Sequence, residues 1–162
     1  MSLADLFKPV LRSAIYLITA AIACAPAALF AQSPNLAGTW EMDAAKSQVS
    51  DGRSMLLVIT TAANKIKIDA KIRDKSGQEK TAGFTCAPDG KECEFDEGGH
   101  KSKVSLWFSG DALNVAKTDG PAGDVVNEWK LQTSSQGKVL TLTINHIDPS
   151  GPDETFVFAK KT

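Results

Sequence analysis

The clearest pattern along the chain is a strict alternation of apolar and polar positions in short segments. Between residues 65 and 73, every second position is isoleucine or alanine, and every position between them is charged. The same period of two recurs in residues 101–109 and 139–147. This alternation is typical of an antiparallel sheet with one face on a core and the other face in water.

Ten segments of this kind follow one another, separated by glycine, proline, asparagine and aspartate turns. They cover residues 38–42, 54–61, 65–73, 78–86, 91–95, 101–109, 112–118, 125–133, 139–147 and 154–160. Most connections between them are short enough to be hairpins, which favours a meander over a Greek key. We predict an all-β fold, an antiparallel up-and-down meander barrel of about 8–10 strands, because closure removes exposed sheet edges.

The N-terminal segment has a different character. Lys8 and Arg12 precede an uncharged, alanine-rich stretch that ends at Ala31, before the polar residues Gln32 and Ser33. A basic start followed by an apolar run and a small residue is typical of a secretory signal peptide. We therefore predict a signal peptide over residues 1–31, cleavage after Ala31, one domain over residues 32–162, and a secreted or periplasmic location without membrane attachment.

Two alternatives for this segment stay open. The apolar run approaches the length of a membrane helix, so it could be an uncleaved anchor, although Pro26 and the many alanines argue against this. Cys24 could instead be a lipidated cysteine, although the apolar stretch continues beyond it to Phe30.

Two cysteines belong to the predicted domain, Cys86 and Cys93, and a Pro-Asp-Gly turn lies between them. Such a turn places two strands side by side, within bridging distance. We predict a structural disulfide, in keeping with an oxidising compartment. A redox-active pair and a metal-binding pair are the alternatives.

Charge and motifs exclude several functions. The net charge is −1 and the charges of both signs are interspersed, so the chain lacks the basic surface of a nucleic-acid binder. We find no phosphate-binding glycine loop, no His-Glu-x-x-His and no Gly-x-Ser-x-Gly. We predict no cofactor, and the sequence does not indicate an oligomeric state.

Gly38, Thr39 and Trp40 form a Gly-x-Trp motif on the first predicted strand. With residues 36–47 and the Trp-bearing stretch 129–143, this motif resembles a group of small secreted bacterial lipocalin-like proteins of the calycin type. The resemblance covers most of residues 36–161, and it implies that Trp40 closes one end of the barrel. The cysteine hairpin departs from the group. No arginine packing over the first-strand tryptophan is identified, and Lys160 or Lys161 could take its place.

The barrel fold suggests that the protein binds a small hydrophobic ligand in its lumen, without catalysis. The candidate lining residues are Ile68, Leu106, Phe108, Leu142 and Phe156. Trp129 is expected in the lumen or the core, and Trp107, which is out of phase with its apolar neighbours, on the outer face.

Two other functions stay open. A barrel with a filled interior would act through its surface, as an interaction module of the envelope or the extracellular space. An enzyme of the calycin type would use either His146, beside Asp148, or the acidic loop 94–100. The carboxylates of that loop, with His100, could also hold a cation, but we predict no metal site.

Overall fold

The computed structural model describes residues 34–119, 124–134 and 136–162. The predicted signal peptide, its cleavage site and Cys24 lie outside the described residues. Within the described ranges there is no helix with the length and apolar character that a membrane crossing needs.

In these described ranges, the regular elements are ten β-strands that form one closed antiparallel barrel. They are β1 (Gly38–Met42), β2 (Ser54–Ala62), β3 (Lys65–Arg73), β4 (Glu79–Cys86), β5 (Asp89–Glu97), β6 (His100–Ser109), β7 (Ala112–Asp119), β8 (Asp124–Thr133), β9 (Val139–His146) and β10 (Glu154–Lys160). Each strand pairs with its neighbours in sequence, and β1 closes the barrel by pairing with both β2 and β10. The predicted meander barrel is confirmed, with ten strands.

One predicted loop is shorter than expected. The acidic segment 94–100 is mostly strand, because β5 runs on to Glu97 and β6 begins at His100. Only Gly98 and Gly99 form the turn, and both have positive φ angles (62° and 93°), which suits a two-residue hairpin. The carboxylates of this segment therefore point alternately to the two faces of a strand instead of converging on one loop.

The meander gives the barrel two different ends. We call the end at which β2 begins and β9 ends the mouth, and the end at which β1 begins and β10 ends the closed end. The interior of the closed half is filled by large apolar side chains that are fully buried, among them Leu106, Leu113, Leu140 and Phe158.

Trp40 lies in this closed half and is fully buried. Its indole Nε1 donates a hydrogen bond to the Leu36 carbonyl at 2.9 Å, and the Lys160 ammonium lies 5.1 Å from the centre of the ring. Gly38 has φ +148°, and a Cβ there would come within 2.6 Å of Lys160 Cε. The glycine of the Gly-x-Trp motif thus leaves room for the lysine that crosses over the tryptophan, and Lys160 takes the place of the expected arginine.

The predicted disulfide is confirmed: Cys86 at the end of β4 is bonded to Cys93 in β5, with Cα atoms 5.7 Å apart. The ladder between these two strands has only three residue pairs, the last being Phe84 with Phe95. The disulfide joins the strands just beyond that pair, where the ladder has ended. It therefore holds together one of the most weakly paired seams of the barrel.

Reduction of the disulfide is expected to lower the free energy of unfolding by about 2.5 kcal/mol, the chain-entropy value for so short a loop. The measurement is denaturant unfolding of the mature domain with and without a reductant. The double variant Cys86→Ala, Cys93→Ala is the control, because its stability should not respond to reductant. A response of equal size in the double variant would contradict the prediction.

Trp40→Phe is expected to destabilise the domain by about 1–3 kcal/mol, because the buried Leu36 carbonyl loses its donor. Trp107→Phe is the matched control: Trp107 is 39% exposed on the outer face, and its replacement should cost about 0.5 kcal/mol or less. Thermal and urea unfolding of both variants test the difference. Equal losses in the two variants would argue against a special role for the Trp40 hydrogen bond.

Candidate functional site

The mouth half of the barrel contains a cavity of about 160 Å³. Most of its wall is apolar and comes from alternate positions of β2, β3, β4, β5, β8 and β9. The apolar lining residues are Met55, Leu57, Ile68, Ala70, Ile72, Ala82, Phe84, Phe95, Trp129, Leu131, Leu142 and Ile144. Six polar or charged residues also line it, Arg53, Glu97, Lys117, Asn127, His146 and Glu154.

Three aromatic rings form one part of the cavity wall. The Phe84 and Phe95 rings are 5.9 Å apart, and the Trp129 ring lies 5.5 Å from Phe95 and 6.4 Å from Phe84. Two of the three contacts are edge-to-face, the geometry that aromatic pairs favour. The rings contact one another and form a continuous aromatic part of the cavity wall.

The first charged group at the mouth centres on Glu154, whose side chain is only 5% exposed. Its carboxylate accepts two hydrogen bonds from Arg53 Nη2, at 2.5 and 2.6 Å. His146 Nε2 lies 3.3 Å from Oε2, and Ser50 Oγ donates to Oε1 at 3.3 Å. The Arg53 guanidinium also lies over the Phe156 ring, 5.4 Å from its centre.

Opposing effects act on the pKa of Glu154. Burial raises the pKa, but the hydrogen bonds and the positive charge of Arg53, together with His146, lower it by more. The net result is a pKa below the usual range of glutamate. Glu154 is therefore an ionised carboxylate inside the barrel, and Arg53 keeps it so.

The second charged group is Lys117 with Glu97. The Lys117 side chain is 11% exposed, its ammonium lies 2.9 Å from Glu97 Oε2, and it also lies 5.1 Å from the centre of the Phe95 ring. Because a buried ammonium is costly unless it is paired, the carboxylate and the ring face together account for its position. This ion pair lines the same cavity as the Arg53–Glu154 pair.

Asn127 lines the cavity between these two groups. In the antiparallel ladders it stands beside Lys117 of β7 on one side and His146 of β9 on the other. Its amide makes no side-chain hydrogen bond within the described part of the chain. It therefore offers a neutral donor and acceptor to the interior.

The predicted lining residues fall into two sets. Ile68 and Leu142 line the cavity, as does Trp129. Leu106 and Phe156 are fully buried, but they pack in the core and are not part of the cavity wall. Phe156 is covered by Arg53 and stacks on Phe158, 6.3 Å away.

Phe108, the remaining candidate, is half-buried at the closed end, beside Leu36 and Ile66. The placement of Phe108 and Leu106 has a simple reason. β6 enters the barrel at the mouth, and these two residues lie in the second half of the strand, towards the closed end.

Three charged lining residues were missed. The alternation along their strands indicates that they face inward. Glu154 is in phase with the buried Phe156 and Phe158, and Lys117 is in phase with Leu113 and Val115. Because charged residues usually face water, sequence reasoning placed them on the outer face in spite of this alternation. Extending the inward phase to the strand ends would have found Glu154 and Lys117, as well as Arg53, two positions before Met55.

The groups considered for catalysis or metal binding are arranged differently from the expectation. The ring of His146 pairs with Glu154, not with Asp148. Glu94 forms an ion pair with Lys101, and Asp96 accepts a hydrogen bond from the Gly99 amide. In the described ranges, no group of three or more His, Cys, Asp or Glu residues is placed to hold a metal ion.

Arg53→Met is expected to destabilise the domain by about 3 kcal/mol at pH 7, because it leaves the Glu154 carboxylate buried without its main partner. The pKa of Glu154 is depressed in the folded protein, so its stabilisation is complete above the unfolded pKa and is lost as pH falls through the folded pKa. The difference in the free energy of unfolding between wild type and Arg53→Met should therefore become smaller towards pH 3. Urea unfolding across pH measures it.

Lys101→Met is the control for that comparison, since it breaks an exposed ion pair with Glu94 and should cost less than about 1 kcal/mol. A loss in Arg53→Met that stays constant from pH 7 to pH 3 would show that the arginine acts through packing instead of charge.

No family model and no curated protein matches the chain. Among solved structures, 18 chains are similar. One is a mutant of the fluorescent protein UnaG, with a TM-score of 0.56 and 15% sequence identity. The match covers 78% of this chain and 96% of that one. Such a likeness concerns the fold alone, and it agrees with the closed antiparallel meander barrel of ten strands in the described residues.

Proposed function

We propose that this protein is a small binding protein that holds a hydrophobic ligand in the mouth half of its barrel and does not catalyse a reaction. The observation that carries the proposal is the division of the interior. Large side chains fill the closed half, whereas the mouth half has an apolar cavity of about 160 Å³. A cavity of about 150 Å³ lined by leucine, isoleucine and phenylalanine binds benzene in another protein.

The chemistry of the cavity wall supports a ligand with an apolar body. Its lower part is formed by aliphatic side chains and by the rings of Phe84, Phe95 and Trp129, while its charged side chains sit near the strand ends at the mouth. Binding pockets for small molecules commonly combine an apolar lining with a few polar groups that orient the ligand. The cavity suits a molecule of about the size of a single aromatic ring, which could extend through the mouth.

We further propose that the protein is a secreted or periplasmic protein of the lipocalin-like type. The Cys86–Cys93 disulfide supports this, because disulfides persist in oxidising compartments and are rare in the cytosol. The Gly-x-Trp motif with its covering cation, here Lys160, agrees with the same group.

An interaction module acting through its outer surface has less support. The large apolar side chains that are exposed in the described ranges are Trp107, Val139 and Ile147. They lie on β6, at the start of β9 and after the end of β9, so they do not form one patch. Isolated exposed apolar residues are normal on a protein surface.

The test is binding of an environment-sensitive lipophilic dye to the mature domain, with toluene as the competitor. We expect saturable dye fluorescence that toluene reduces, because both molecules would occupy the cavity. Ala70→Phe, which places a ring in the cavity, should lower dye affinity at least tenfold. Ala116→Phe adds the same ring on the outer face of β7, where Ala116 pairs with Ser105 and Glu128, and should leave binding unchanged.

Absence of saturable binding by the folded wild-type domain would overturn the proposal. Equal loss in both phenylalanine variants would mean that the dye binds elsewhere or that the fold is perturbed, and thermal unfolding of each variant separates these two outcomes.

A further inference from the structure

We propose that the ligand is uncharged, with a single neutral hydrogen-bonding group that meets Asn127 at the mouth of the cavity. This inference rests on the proposed function and specifies the chemical class of the ligand. It comes from the way in which the charges inside the barrel are paired.

Every charge that lines the cavity already has a partner of opposite sign within the barrel. Arg53 donates twice to Glu154, whose second neighbour is the His146 ring. Lys117 lies 2.9 Å from Glu97. Arg53 also has Asp51 beside it, with Nε 3.0 Å from Oδ1. Each cation that lines the cavity therefore faces at least one carboxylate, and the cavity offers neither a free cation to an acid nor a free carboxylate to an amine.

A charged ligand would have to break one of these pairs. A ligand carboxylate that took Arg53 would displace Glu154, whose side chain is only 5% exposed and has little access to water. A ligand ammonium that took Glu97 would displace Lys117, whose side chain is 11% exposed. In either case the gain of one ion pair is offset by a displaced charge left in an apolar site, which is strongly unfavourable.

Asn127 is the polar lining residue whose side chain has no hydrogen-bond partner in the described part of the chain. It lies between the two ion pairs, beside Lys117 and His146 in the ladders, and two residues before Trp129 on the same face of β8. Its amide can donate to a carbonyl or a hydroxyl and accept from a hydroxyl or an amide. A ligand whose ring lies against Trp129 would bring a neutral polar group to this position.

The experiment compares four molecules of nearly the same shape, namely toluene, benzyl alcohol, benzoate and benzylamine. Each is titrated into the wild-type mature domain at pH 7, and dissociation constants are measured from amide chemical shifts in NMR spectra. We expect benzyl alcohol to bind at least tenfold more tightly than benzoate and benzylamine. Equal or tighter binding of either charged molecule would overturn the inference while leaving the proposed function intact. Failure of all four, toluene included, would overturn both.

Two variants test the named residues. Asn127→Leu should weaken binding of benzyl alcohol by about tenfold and leave that of toluene unchanged, since only the alcohol loses a hydrogen bond. Glu97→Gln leaves Lys117 without its carboxylate and should raise the affinity for benzoate at least tenfold.

Glu94→Gln is the matched control for the second variant, because Glu94 pairs with Lys101 on the outer face of the same strand. It should change the affinity for none of the four molecules. An unchanged preference for the alcohol in both Asn127→Leu and Glu97→Gln, with normal unfolding temperatures, would overturn the assignment.

Discussion

Closure of the sheet between the first and the last strand is the constraint on which the interior depends. The β1–β10 ladder has only three residue pairs, from Trp40 with Lys160 to Met42 with Phe158. It is reinforced at both ends. At the closed end, Lys160 lies over the Trp40 ring. Towards the mouth, the segment after β1 continues along β10 through the bridge between Gln48 and Thr155. If this seam opened, the apolar residues that line the barrel would be exposed to water.

The two halves of the closed barrel differ in packing and in buried charge. The closed half resembles an ordinary protein core, with Trp40 and several leucines fully buried. The mouth half holds less apolar packing and contains Glu154 and Lys117, which are buried charges that give little net stability even when they are paired. A cavity lowers the stability of the fold and buried ion pairs add little to it, so the mouth half contributes less to stability than the closed half. The packed half, the Trp40 hydrogen bond and the disulfide supply the stability that the mouth half lacks.

The sequence predicts the strands well because local rules determine them. The alternation at residues 65–73 and the Gly-Asp turn at 110–111 need no knowledge of the rest of the chain. The same rules fail at Gly98 and Gly99, where an acidic stretch looks like a loop although the two glycines make a tight hairpin turn. The cavity could not be predicted, because its volume depends on which side chains meet across the barrel. Leu106 and Leu142 both face inward, yet only Leu142 reaches the cavity. The period of two indicates which face of the sheet a side chain lies on, but not where in the interior it lies.

The disulfide lies close to the aromatic part of the cavity wall. Cys86 follows Phe84 by two residues and Cys93 precedes Phe95 by two, so the disulfide lies next to the Phe84–Phe95 pair that ends the β4–β5 ladder. These two phenylalanines, with Trp129, form the aromatic part of the cavity wall. Because that ladder has only three residue pairs, the covalent bond adds to the few hydrogen bonds that hold the two rings in contact. The cavity would therefore keep its shape best in an oxidising environment, which is where the disulfide would persist.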